Sequence, residues 1–128
     1  MVRDLINVQY PLIEDTQSVA SVEVDKTTVS DENGITVKNA FANKNNTLFV
    51  FITNNGESDA EVTFLSGNMY PNSILGNLVQ TVPASSVTAF QFQDAARFEN
   101  KDGSLNVDFE EGFSGDIFAI AKPTSLNV

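Results

Sequence analysis

The stretch Leu78-Val79-Gln80-Thr81-Val82, Pro83-Ala84-Ser85-Ser86, Val87-Thr88-Ala89-Phe90-Gln91-Phe92 decides the fold class. Two runs rich in β-branched and aromatic residues flank a group of turn formers. Pro83 stands where an arm must stop, because it has no N–H to give to a ladder. The stretch predicts a β-hairpin. Runs of similar length lie on either side of it: Leu48 to Ile52, Ala60 to Leu65, Leu105 to Phe109 and Ile117 to Ala121. Short strands at this spacing, separated by Asn, Asp and Gly, predict an all-β chain, an antiparallel β-sandwich of immunoglobulin-like or jelly-roll-like type. A length of 128 residues suits a single domain with one core.

The sandwich is expected over residues 18–128, preceded by an extended N-terminal arm over residues 1–17. In that arm Leu5, Ile6, Val8, Tyr10, Leu12 and Ile13 follow no clean period, and Tyr10-Pro11 disfavours helix. Such an arm packs along its own domain or reaches onto a neighbouring subunit. Ser18 to Asp25 alternates like a half-buried strand with Ala20, Val22 and Val24 inward. Asn33-Gly34 signals a tight turn into a short strand at Ile35 and Val37. The polar segment Asn54 to Asp59 makes Ala60 to Leu65 the hairpin partner of Leu48 to Ile52. Ser66 to Asn77 then carries the chain to the other sheet. Asp94 caps one helical turn ending at Phe98, and Glu99 to Gly103 turns into the strand starting at Leu105.

Leu48 to Ile52 and Ile117 to Ala121 are apolar on both faces, which a strand with one solvated face is not. Loops or the arm provide the second cover, or the outer face is an interface with another protein. The candidate contact residues are therefore Leu5, Ile6, Val8, Tyr10 and Leu12 in the arm and Phe49 and Phe51 on the first of these strands.

Charge and composition narrow the function. With 17 acidic against 7 basic residues the net charge is -10, which disfavours nucleic acid and anionic membranes as partners. No apolar run approaches the roughly 20 residues of a membrane helix. The first residues lack the uninterrupted apolar core of a signal peptide, so the chain is expected to stay in the cytoplasm where it is made. The absence of His and Cys removes Ser-His-Asp and Cys-His nucleophilic arrangements, disulfides and the usual zinc sites. Asp108 and Glu110 share a strand face, but an open face does not raise a carboxylate to the pKa of a general acid. Around Asn100-Lys101-Asp102-Gly103 an EF-hand register puts Phe98 and Phe109 at ligand positions, so the pattern fails. No phosphate-binding glycine loop occurs. No catalytic residue, cofactor or metal is expected.

One series of residues resembles a known family. Asn33-Gly-Ile-Thr-Val-Lys-Asn-Ala40, the Val82-Pro-Ala-Ser85 turn, Ala96-Arg97-Phe98 and Asn100-Lys-Asp-Gly-Ser-Leu-Asn-Val-Asp108 look like small head decoration, or auxiliary capsid, proteins of tailed bacteriophages. The resemblance covers about residues 33–122. It implies a non-enzymatic virion structural protein, made in the host cytoplasm, that adds to the outside of a phage head. Its partner would be the major capsid protein, bound as a monomer or homotrimer and often through an N-terminal arm. The residues also leave room for another virion component, at head completion, tail or fibre base. They leave room as well for a bacterial surface or carbohydrate-binding sandwich, although no Trp is present to stack on a sugar.

Overall fold

A computed structural model describes residues 3–13, 20–41, 46–69, 75–92 and 95–123. Eleven strands and one helical turn follow in order: β1 (Asp4–Gln9), β2 (Leu12–Ile13), β3 (Ala20–Ser21), β4 (Thr27–Thr28), β5 (Ile35–Lys38), β6 (Asn46–Asn54), β7 (Ala60–Phe64), β8 (Leu78–Val82), β9 (Ser86–Phe92), α1 (Ala95–Phe98), β10 (Leu105–Phe109) and β11 (Gly115–Pro123). Nine strands make one sheet in the order β8-β7-β10-β5-β1-β11-β6-β9, with β4 also on β11, while β2 and β3 pair separately. The sheet wraps into a nearly closed barrel.

Period-two alternation drives the strands inward on one face. On β5, β10 and β11 the inward rows Ile35 and Val37, Leu105 and Val107, and Ile117 and Ala119 are fully buried. Their intervening residues are polar or half-exposed. The expected turns at Asn33-Gly34 and Asn100 to Gly103 form as well. Gly34 adopts a φ of 72°, and a side chain there would collide with the Arg3 guanidinium and the Asp108 carboxylate. Arg3 fills that space, bridging to Asp108 at 2.5 Å and donating to the Val107 carbonyl at 3.2 Å. α1 forms at the expected place, closed by a bond from Glu99 N–H to the Ala95 carbonyl; its expected cap, Asp94, lies outside the described residues.

Pairing departs from expectation in three ways. The first concerns the arm. Residues 4–9 are extended, but they form a strand inside the main sheet: Asp4 to Asn7 pair with β5 and Val8 and Gln9 with β11, all in parallel. The sheet is therefore mixed and not purely antiparallel. This stretch packs along its own domain, with Ile6 in the core.

The second concerns connections. β8 and β9 do not pair with each other: β8 pairs with β7, and β9 with β6. Likewise β6 pairs with β11 and β9 but not with β7. Both short turns are arches: they pass from one half of the sheet to the other over the gap between β8 and β9, without a ladder between the strands they join, whereas the longer segment after β7 brings the chain back beside β7 in the same half. Asn54 explains one arch. It ends the inward row Leu48, Val50, Ile52 of β6, and its buried amide donates to the Ser58 carbonyl at 2.9 Å and the Val82 carbonyl at 3.0 Å. Its oxygen accepts from Gly56 N–H at 2.8 Å. A buried amide satisfied by three backbone groups holds the turn against the end of β8, in place of a ladder between β6 and β7.

The third concerns Ser18 to Asp25, where Ala20–Ser21 is the strand and residues 22–26 are not. Gln9 accounts for this locally. Its side chain accepts from Asp25 N–H at 2.9 Å and donates to the Asp25 carbonyl at 3.0 Å, so a side chain takes the place of a neighbouring strand.

Candidate functional site

Alternation along β6 sends Leu48, Val50 and Ile52 inward and leaves Phe49 and Phe51 on the outer face of the sheet. Register on β11 sets Phe118 opposite Phe51 and Ile120 opposite Phe49. The rings respond by stacking: Phe51 and Phe118 lie 4.7 Å apart and 10° from parallel, and Phe49 follows at 6.4 Å from Phe51. On the other side of β6, Ala89 stands opposite Phe51 and Val87 opposite Thr53. Each phenylalanine remains half-exposed. The outcome is an outward aromatic strip across two strands, β6 and β11, with Asp116 of β11 at one end, opposite Thr53. Rings in this arrangement shield one another from water only in part, so a partner surface would remove further apolar area.

The remaining expected contact residues sit elsewhere. Leu5 and Tyr10 are exposed, Val8 packs against the core, and Ile6 belongs to the core. Leu12 is in β2, paired with Ser21, and its side chain lies outside the described residues. The structure thus brings Phe49 and Phe51 together with two residues that sequence reasoning did not single out, Phe118 and Ile120. The signal for these was the two-faced apolar character of Ile117 to Ala121, which marks a strand but not its register.

Two polar clefts lie apart from the strip. One, of about 540 Å³, is lined by Arg3, Leu5, Thr36, Asn68, Asn100, Lys101, Asp102, Ser104 and Asn106. Its side chains are mostly occupied. Asn100 donates to the Ser104 carbonyl at 3.1 Å and accepts from Asn68 N–H, Asn68 accepts from Lys101 N–H, and Thr36 donates to Asn106 at 2.7 Å. The Ser104 hydroxyl and then its N–H, both donated to Asp102, hold that carboxyl below its ordinary value of 3.8. The second cleft, of about 240 Å³, lies between the β6–β7 turn and the β10–β11 turn and is lined by Glu57, Asp59, Glu110 and Glu111 among others. Glu110 accepts from Glu61 N–H, and Asp59 from Ala84 N–H at 3.0 Å, so these carboxylates tie turns together. Asp108, considered above beside Glu110, is ion-paired with Arg3. Among the described residues no group of acidic side chains is arranged to hold a metal ion, and no helix is long and apolar enough to cross a membrane.

No family model, no curated protein and no solved structure matches the chain.

Proposed function

We propose that this chain is a non-enzymatic structural protein of a virion, binding the outer surface of a phage head through the aromatic strip of β6 and β11. The observation that carries the docking half of this reading is the strip itself. Phe49, Phe51 and Phe118 are stacked on the outside of a barrel whose core is already complete beneath them. Three phenylalanines on an outer face add little to a monomer, and such a patch marks a contact surface. The capsid half rests on the resemblance of residues 33–122 to head decoration proteins. An acidic chain also suits the exterior of a DNA-filled shell, since it is repelled by the packaged phosphates. We read the two halves of the sheet, β8-β7-β10-β5 and β11-β6-β9 joined by β1, as the layers of an immunoglobulin-like sandwich.

The test uses heads from the phage that carries this gene, prepared without its product. Purified chain is added and the heads are sedimented. Wild type is expected to travel with the heads, and Phe51→Asp to stay at the top of the gradient while keeping its melting temperature within a few degrees. Folded wild-type protein that fails to sediment with heads overturns the capsid reading.

A further inference from the structure

Among the described residues the wall of the barrel is open between β8 and β9. These strands end the sheet order, so among the described residues each keeps one row of backbone N–H and C=O groups without a strand partner. The turn that joins them is tied to the β6–β7 turn: Asn54 bonds the Val82 carbonyl, Ser85 N–H bonds the Gly56 carbonyl at 3.1 Å, and Ala84 N–H bonds Asp59. Away from that turn lies a cleft of about 310 Å³, with Leu78 and Gln80 on one wall and Ala89 to Phe92 on the other. Its floor is Phe64, which meets Phe90 at 5.1 Å and Phe92 at 5.0 Å edge to face, and Phe98, which meets Phe92 in the same way at 5.4 Å. Phe90 points inward yet stays half-exposed, whereas Val50, beside it in register, is fully buried.

The charge pattern marks the same place. No Asp, Glu, Lys or Arg occurs between Glu61 and Asp94 in a chain of net charge -10. Edge strands ordinarily carry charges that prevent strand addition, and these two carry none. Val79 and Val87, on the outer faces of the two strands, are 51% and 59% exposed. An occupant of this cleft has to satisfy two rows of amides as well as cover phenylalanine. A lipid tail or a small aromatic molecule does only the second.

We propose that the β8–β9 opening takes an extended, uncharged peptide segment of a partner protein as an added strand, with alternate apolar side chains on the Phe64 and Phe98 floor. The neutral walls select against a charged segment, which would lose hydration with nothing to pair it. This site is separate from the aromatic strip and does not depend on the capsid reading.

The experiment titrates the full chain with a fluorescein-labelled, end-capped heptapeptide that alternates Thr with Val and Phe, and with the same peptide N-methylated at every second residue. Saturable binding of the first is expected, weakened at least about tenfold by methylation, which removes ladder hydrogen bonds without removing side chains. Amide exchange should slow in β8 and β9. Gln80→Trp, which fills the cleft, should abolish binding at an unchanged melting temperature; if that variant does not fold, the peptide pair on wild type decides alone. Equal binding of both peptides means adsorption to an apolar surface and overturns the proposal. So does the absence of saturable binding, or protection that falls outside β8 and β9.

Discussion

The two halves of the barrel meet twice, and the two junctions are built differently. At one, β1 lies between β5 and β11 and bonds to both, its first four residues to one half and its last two to the other. At the other, β8 and β9 stand side by side without a ladder and are fastened near their turn by Asn54 and neighbouring backbone bonds. A junction stitched by a strand lets the side chains around it bury fully. A junction pinned at one end leaves Phe90 and Phe92 half-covered. The lesson is that a closed wall here requires a strand from elsewhere in the sequence, and the described chain supplies one for one side only.

The comparison can be broken most severely at the stitched side. Removing residues 1–9 takes away a strand with two partners and the core residue Ile6, and the truncated chain is expected to lose its cooperative thermal transition. A sharp transition near the wild-type temperature would mean that the halves hold together without β1. On the pinned side, Asn54→Ala leaves the Val82 and Ser58 carbonyls and Gly56 N–H without their partner, and urea unfolding should register a loss of roughly 2–3 kcal/mol. A loss under about 0.5 kcal/mol would show that the pin is dispensable.

Neighbouring strands sharpen the contrast further. Ile52→Ala on β6, fully enclosed, should cost about 3–4 kcal/mol, while Phe90→Ala at the opening should cost only about 2 kcal/mol despite removing a larger side chain. Equal losses would argue that the opening is closed in solution. Outside the barrel, Phe51→Asp should reduce stability by about 1 kcal/mol or less, because the ring faces outward and loses mainly its stack on Phe118. The smallest effect concerns Asp102. Its pKa is lowered on folding, so its contribution is present above the ordinary value of 3.8 and fades as pH falls through the depressed value. Replacing it by Ala should therefore lower the melting temperature slightly at pH 6, and the gap to wild type should narrow as pH falls below 3.8.

These contrasts also show what was legible in the residues. Inward rows such as Leu105, Val107 and Phe109 were readable because alternation is local, and so were the turns at Gly34 and Gly103, which need positive φ. The outward position of Phe49 and Phe51 followed from the same alternation. Pairing was not readable, because a short polar turn looks alike whether its strands share a ladder or each pair with another strand. The sign of an arch was Asn54, a polar residue at an inward position, and its meaning depends on Val82, far away in sequence. β1 was obscured for a related reason: its outward Leu5 breaks the pattern of Ile6 and Val8, and parallel partners leave no turn nearby to announce them.

The stitching strand has a consequence in time. Val8 pairs with Ala119, so this segment must wait for one synthesised much later before the barrel can close. Until then Ile6 has its partner Val37 but Val8 has none, and the inward faces of both halves are within reach of other chains. Contacts of such long sequence separation slow folding, and the waiting nascent chain is a natural client for chaperones.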